Sequence, residues 1–379
     1  MIATSGLTAL ALAATLVARR GIAGAARRAP VAARLRLLYT LVASLLLLRL
    51  IQEAWPAWPV TAAMMITAIW LPFATVRLAE ELVRRHAPRI VKLAALGGSL
   101  LLSLLPLTLG LIWTEHAVMA LAAFQAVMLL CVLVLLLRNR HDVTPMERQA
   151  ADLFAVALLL AIPLVLSDFQ FLFPHLPVRG GVFAALVLVL ATSRLTTGHG
   201  RPAWLLLDLL IMLAGAGLPM LVMQGQGMSL PTATLLPVAA CVSAMVALAL
   251  LIERFAGQKE TGLVRVLARL TPEAKRRDIL AAHPLLSAGH LIEAPQLDDL
   301  PGETLRNLAR NPIISAVDLP GDPIEAEAAR DMLDRYAASH LLRLSVDPPQ
   351  FLAIAASGLS GAHIDDELTI AVRLLENLS

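Results

Sequence analysis

Long apolar runs, separated by short polar stretches, occupy most of the chain. Nine of them approach the length of about 20 residues that a helix needs to cross a bilayer. They span residues 3–19, 35–54, 59–83, 91–113, 116–137, 149–167, 180–196, 203–223 and 230–254. In lipid, each run must satisfy its own backbone hydrogen bonds, which helices do. The pattern therefore predicts a polytopic α-helical membrane bundle of about nine transmembrane helices.

The basic residues of this region lie almost entirely in alternate connections. Seventeen of the nineteen Lys and Arg residues in 1–255 fall on one side of a nine-helix arrangement, and Arg49 and Arg179 fall on the other. Because basic loops stay on the cytoplasmic side, we expect the N-terminus outside, the C-terminus inside and a bacterial inner membrane. Residues 5–18 could instead be the core of a signal peptide, but their arginines follow the apolar run.

Composition and charge change at about Phe255. The chain is 58% hydrophobic with a mean hydropathy of +0.75, but this excess lies in residues 1–255. That part carries +9 (nineteen basic, ten acidic), whereas 256–379 carries −6 (twelve basic, eighteen acidic). The acidic tail excludes nucleic-acid binding. We therefore divide the chain into a transmembrane domain at 1–255, a stalk helix at 256–270 and a cytosolic α/β domain at 271–379.

Ionisable residues inside apolar runs often mark ion or proton pathways. The candidates are Arg49, Glu53, Glu80, Glu81, Asp152, Asp168 and Asp208. Each lies within a turn or two of a predicted membrane edge, which disfavours a proton-coupled pump. The deepest, Asp208, could snorkel or pair with Arg201.

Other residues of the apolar runs allow two interpretations. Prolines and glycines at the bilayer centre fit either a substrate cavity or ordinary helix packing. Aromatic residues at the outer ends fit either a ligand site or an interfacial belt.

The tail alternates predicted helices and strands. Helices are expected at 271–282, 302–310, 323–338 and 366–378, and a strand at 313–319. Two further apolar runs, 340–346 and 350–356, flank Asp347-Pro348-Pro349. Apolar runs on either side of a turn sequence predict an antiparallel hairpin.

The order of these last elements resembles the C-terminal half of a GAF domain over residues 335–379. In that family a hairpin is followed by a small-residue loop, here Ser-Gly-Leu-Ser-Gly-Ala-His-Ile, and by a helix with an acidic start. The helix start is matched by Ile364, Asp365, Asp366 and Glu367, and its end by Leu375, Glu376 and Asn377. The resemblance implies a GAF-like sensory fold, as in bacterial membrane-bound signalling proteins. The cyclic-nucleotide signature of some members is absent, so we expect a degenerate domain that makes protein contacts.

Two apolar stripes are predicted to form an interaction surface of the tail. They comprise Leu263, Val266 and Leu270 of the stalk, and Leu368, Val372 and Leu375 of the closing helix. The GAF family often pairs through its first and last helices, which implies a homodimer or a protein partner. The alternative is that both stripes belong to the core of the tail.

No catalytic constellation is present in the sequence. There is no phosphate-binding loop, the histidines are scattered, and Cys131 and Cys241 lie in apolar runs outside any metal-ligand pattern. We therefore predict no catalytic or metal-binding residue and no cofactor, and expect membrane lipid as a partner. The sequence favours a signal-input or scaffolding protein that acts through its tail. The alternatives are a transporter or lipid-handling protein and, third, a membrane-embedded enzyme.

Overall fold

The computed structural model divides the chain into two compact units. The first contains residues 1–26 and 30–255, and the second contains 256–379 with the short segment 27–29. The described residues are 2–23, 26, 30–83, 85–108, 115–138, 145–169, 179–196, 201–225, 232–257, 280, 284–287, 289–297, 299–315, 318–336, 338–354, 368–373 and 375.

In its described residues, the first unit consists of helices and the short connections between them. Its helices are α1 (Ile2–Gly21), α2 (Pro30–Ala54), α3 (Trp58–Leu82), α4 (Arg89–Leu107), α5 (Glu115–Arg138), α6 (Pro145–Leu166), α7 (Gly180–Thr196), α8 (Pro202–Gly225) and α9 (Thr232–Gly257). Within the described residues, seven of them, α2–α6, α8 and α9, are long and apolar enough to cross a membrane. Helix α7 is apolar but shorter, and α1 is not among the seven. The chain is a multi-pass membrane protein.

Small residues let the helices of this unit approach closely. In α1, Ala11, Ala14 and Ala18 are fully buried, and the helix packs against α2 and α7. Without a hydrophobic driving force between helices in lipid, such close contacts hold a bundle together by van der Waals packing. Helices α2 and α3, and α6 and α7, form the most extensive pairs.

The outer surface of the unit is apolar. On α4 and α8, Leu101, Leu213 and Leu221 are each more than two-thirds exposed. Exposed leucines on this scale are unfavourable in water but are ordinary against lipid tails. The composition of these two helices is therefore explained by a lipid environment.

The second unit contains a four-stranded antiparallel sheet. Its described elements are α10 (Pro284–Ser287), β1 (His290–Ile292), a short 3-10 helix (Ala294–Leu297), α11 (Gly302–Leu308), β2 (Ile313–Ser315), α12 (Pro323–Arg335), β3 (His340–Val346) and β4 (Pro349–Ile354). The strand order is β1-β4-β3-β2. The predicted hairpin is confirmed, since β3 and β4 pair with Leu342 opposite Leu352.

Helices cover both faces of this sheet. On one face, Leu341 and Phe351 pack with residues of α11 and α12, such as Leu308 and Met332. On the other face, Leu342, Leu344, Leu352 and Ile354 pack with a helical segment at residues 368–373 and 375. Because side chains alternate between faces along a strand, neighbouring residues of β3 and β4 serve the two separate cores.

Several elements of the described tail differ from the predicted ones, including the 302–310 helix, which ends at Leu308. Strand β2 is only three residues long, and β1, which the sequence pattern did not indicate, adds a fourth strand at the β4 edge. A strand of three residues is too short to show the alternation of apolar and polar positions from which strands are predicted. Helix α12 ends at Arg335, three residues before its predicted end. Most of the predicted stalk and the predicted 271–282 helix lie outside the described residues.

Candidate functional site

A cavity of about 520 Å³ lies inside the membrane unit, between α2, α3, α5, α6 and α7. Most of its wall is apolar and includes Leu46, Met65, Leu121, Leu158 and Leu188. Its volume lies in the range of pockets that bind small organic ligands, about 300–1,000 Å³. A cavity with this wall is suited to a hydrocarbon chain.

One end of the cavity is polar. Arg49 and Gln52 from the end of α2 line it together with Asp168 after α6 and Arg179 before α7. Nη2 of Arg49 donates a hydrogen bond of 2.7 Å to Oδ2 of Asp168. Only 8% of the surface of Arg49 is exposed. The cavity therefore has an apolar body and a charged end, a combination that suits an amphipathic ligand.

Asp168 is held in place by the start of α7. Its Oδ1 accepts a 2.9 Å hydrogen bond from the backbone N–H of Gly181, one of the N–H groups that a helix leaves unpaired at its N-terminus. A Cβ atom at Gly181 would lie 2.3 Å from Oδ2 of Asp168. Glycine at this position therefore allows the carboxylate to cap α7 and to face Arg49 at the same time.

Gln52, the second polar residue of α2 in the cavity wall, has a side-chain oxygen that lacks a partner among the described residues. Oε1 of Gln52 is buried and accepts no hydrogen bond from any described residue. A buried polar atom without a partner costs about 1–3 kcal/mol, so native structures rarely contain one. Because Gln52 lines the cavity, a donor on a bound molecule could satisfy this oxygen.

A proline in α3 explains a further polar residue of the wall, Gln125. Pro72 has no N–H, so the carbonyl of Ala68, four residues earlier, loses its helical donor. Nε2 of Gln125 in α5 donates to that carbonyl at 3.0 Å. The interaction ties α5 to α3 alongside the cavity, and it accounts for a proline within an apolar helix.

A separate charged cluster joins α7, α8 and α9. Asp208 is completely buried and accepts hydrogen bonds from Nε and Nη2 of Arg194 at 3.0 and 2.5 Å. Arg254 forms a salt bridge with the same carboxylate and donates to the hydroxyl of Ser193. The suggested partner Arg201 was wrong: two arginines from neighbouring helices balance Asp208 instead. None of these residues lines the cavity.

Three other ionisable candidates, Glu53, Glu80 and Glu81, lie in the last turn of their helices. Glu80, 5% exposed, accepts from Lys92 at 2.7 Å and from the backbone N–H of Ala87, which joins α3 to the start of α4. Glu81 faces Arg34 at 3.5 Å, and Glu53 accepts from the hydroxyl of Ser5. Of the aromatic candidates, Phe169 lines the cavity, whereas Trp55 is 68% exposed.

Half of the predicted interaction residues lie within the described part of the chain. Leu368, Val372 and Leu375 are described and fully buried against the sheet of their own unit. Leu263, Val266 and Leu270 lie outside the described residues, as do residues 364–367, 376 and 377 of the GAF resemblance. Association through the two stripes stays a prediction. In the described parts of the chain, no group of three or more His, Cys, Asp and Glu side chains is placed to hold a metal ion.

Only some of the cavity residues could be identified from the sequence. Arg49 and Asp168 were identified as ionisable residues near a membrane edge, but Gln52, Gln125 and Arg179 carry no motif that marks them as cavity residues. One available signal was that Arg49 and Arg179 are the two basic residues predicted on the side opposite the basic loops.

Comparison of the chain with models of protein families, with curated proteins and with solved structures finds no match.

Proposed function

We propose that this protein binds an amphipathic, lipid-like molecule in the cavity of its membrane unit. The observation that carries the proposal is the cavity itself, which has an apolar body and, at one end, Arg49, Asp168, Arg179 and Gln52. Apolar walls favour a hydrocarbon chain, at about 25 cal/mol for each Å² of apolar surface buried, and a few polar groups fix its orientation. This is the lipid-handling alternative among the functions that the sequence allows.

The proposal includes nine crossings of a bacterial inner membrane, with the N-terminus outside and the C-terminal unit in the cytosol. Two findings support it: helices occur at all nine apolar runs within the described residues, and the basic residues are strongly asymmetric between the two sides. In this topology, the charged end of the cavity lies near the outer face. A ligand would then enter from the outer leaflet or the external medium.

A signal-input or scaffolding role is the second candidate. It is favoured by the tail, in which helices on both faces of an antiparallel sheet agree with the expectation of a GAF-like domain that contacts a partner or a second copy of the chain. In this version, the membrane unit senses its ligand and the tail passes on the signal. The two candidates share the cavity and differ in whether the bound molecule is transported or sensed.

Filling the cavity tests both candidates. Leu158 is 3% exposed and lines the cavity, whereas its neighbour Leu159 is 59% exposed on the surface of α6. We expect full-length protein, purified in a mild detergent, to retain an amphipathic molecule that native mass spectrometry detects. Leu158→Trp should lose it, and the matched variant Leu159→Trp should keep it. Equal occupancy in the two variants, or no bound molecule in the wild type, would contradict the proposal.

A pull-down then separates the two candidates. A partner protein that is recovered with the wild type from native membranes, and whose recovery changes in Leu158→Trp, would favour sensing. Transport of a labelled amphiphile across a reconstituted bilayer, lost in the same variant, would favour lipid handling.

A further inference from the structure

The charge of the cavity indicates the chemistry of its ligand. Three ionisable side chains line it among the described residues, namely Arg49, Asp168 and Arg179, so its wall carries a formal charge of +1. Glu53 lies near enough to Arg179 to interact with its charge, but it lies outside the wall and accepts from the hydroxyl of Ser5. Within the wall itself, two guanidinium groups face one carboxylate, and this arrangement favours an anionic group on the ligand.

Asp168 carries one negative charge against the two positive charges of Arg49 and Arg179. One of its oxygens is bound to the N–H of Gly181 and the other to Nη2 of Arg49. The guanidinium of Arg49 carries five N–H donors and donates one hydrogen bond among the described residues. Within the described part of the chain, donors of Arg49 and Arg179 therefore remain for an acceptor inside the cavity.

We propose that the ligand carries an anionic oxygen headgroup, a phosphate or a carboxylate, that binds Arg49 and Arg179 while its hydrocarbon chain fills the apolar body of the cavity. This rests on the proposed function. Guanidinium groups bind both oxyanions through paired, charge-assisted hydrogen bonds. The start of α7, between Arg179 and Gly181, adds the positive end of a helix dipole at the same place. A headgroup with a hydroxyl could also donate to Oε1 of Gln52, which lacks a partner among the described residues.

Two amphiphiles that differ only in the headgroup test this inference. Full-length protein is placed in nanodiscs of uncharged phosphatidylcholine, and binding of dodecyl phosphate and of dodecanol is measured, with Leu158→Trp protein as the reference for non-specific uptake. Inorganic phosphate alone is the third ligand. We expect dodecyl phosphate to bind at least about tenfold more tightly than dodecanol, as a charge-assisted contact predicts, and inorganic phosphate to bind much more weakly than either.

Variants of the charged end show whether the preference arises there. Arg179→Gln and Arg49→Gln should each reduce the ratio of the two affinities, and Arg49→Lys should reduce it less, because it keeps the charge but loses the paired donors. Because Arg49→Gln leaves Asp168 without its partner, the double variant Arg49→Gln with Asp168→Asn removes the pair together and should give the same loss. Arg20→Gln, at an exposed position of α1, is the control and should change nothing.

The outcomes separate the inference from the proposed function. Equal affinities for the two amphiphiles, or a ratio unaffected by the arginine variants, would overturn the anionic headgroup and leave the lipid-like ligand in place. If inorganic phosphate binds as tightly as dodecyl phosphate, the site takes a free anion and the inference is wrong. If neither amphiphile binds wild type above the Leu158→Trp reference, both the inference and the proposed function fail.

Discussion

Removal of the carboxylate of Asp208 should destabilise the membrane unit more than any other single charge change in α7, α8 or α9. The side chain is completely buried, and it faces Arg194 through two hydrogen bonds of 2.5 and 3.0 Å and Arg254 through a salt bridge. Asp208→Asn keeps the shape of the side chain but leaves two largely buried guanidinium groups, with side chains 15% and 10% exposed, without a counter-charge. Breaking a buried ion pair by removing one partner costs about 3–5 kcal/mol.

A second variant, Arg254→Gln, provides a reference for the free energy lost in Asp208→Asn. In Arg254→Gln, Asp208 keeps both hydrogen bonds from Arg194, so the loss should be close to that of one hydrogen bond to a charged group, about 1.5–3 kcal/mol. Glu253→Gln changes an exposed neighbour in the same helix and should stay within about 0.5 kcal/mol of wild type. The expected order of stability is therefore wild type and Glu253→Gln, then Arg254→Gln, then Asp208→Asn.

The assay is titration of the purified full-length protein with a denaturing detergent, followed by circular dichroism, which gives a free energy of unfolding for each variant. If the free energy of unfolding of Asp208→Asn lies within about 1 kcal/mol of wild type, the reasoning is refuted. The loss would then be well below the cost of leaving a buried charge unpaired, and the carboxylate would not balance the two arginines. An Arg254→Gln protein less stable than Asp208→Asn would contradict the reasoning as well, since it would place the main contribution outside the carboxylate.

Three further predictions concern topology and the tail. A cysteine at Trp58 should be labelled by a membrane-impermeant thiol reagent on intact cells and one at Gly198 should not; outside labelling at Gly198 would refute the nine-helix topology. Arg335 lowers the pKa of Asp299 chiefly through its hydrogen bonds to that carboxylate, so the pair contributes stability above the ordinary aspartate pKa of about 3.9. The stability difference between wild type and Arg335→Gln should therefore be present at pH 7 and vanish as pH falls through the lowered pKa, and a pH-independent difference would exclude this linkage. Leu263→Glu should weaken association of the tail, measured by sedimentation, if the stalk stripe forms an interface; unfolding without prior dissociation would place it in the core instead.

Local pattern was sufficient for most of the secondary structure. The positions of the nine helices among the described residues follow from the length and apolar character of each run, because a chain in lipid has few alternatives to a helix. The β3–β4 hairpin follows from two apolar runs around Asp347, Pro348 and Pro349, and helix α12 from its apolar face. These features depend on residues within one or two turns of each other, so the sequence by itself determined them.

The charged contacts and the cavity were decided only by the tertiary structure. Arg49 and Asp168 are 119 positions apart, and Asp208 is paired with arginines of two other helices rather than with nearby Arg201. Strand β1 exists because its three residues pair with β4, which lies far along the chain. A single helix or short strand contains no information about which face of another element it will meet. That choice depends on how all the helices pack together, and it is this packing that leaves space between α2, α3, α5, α6 and α7 and places two arginines at its end.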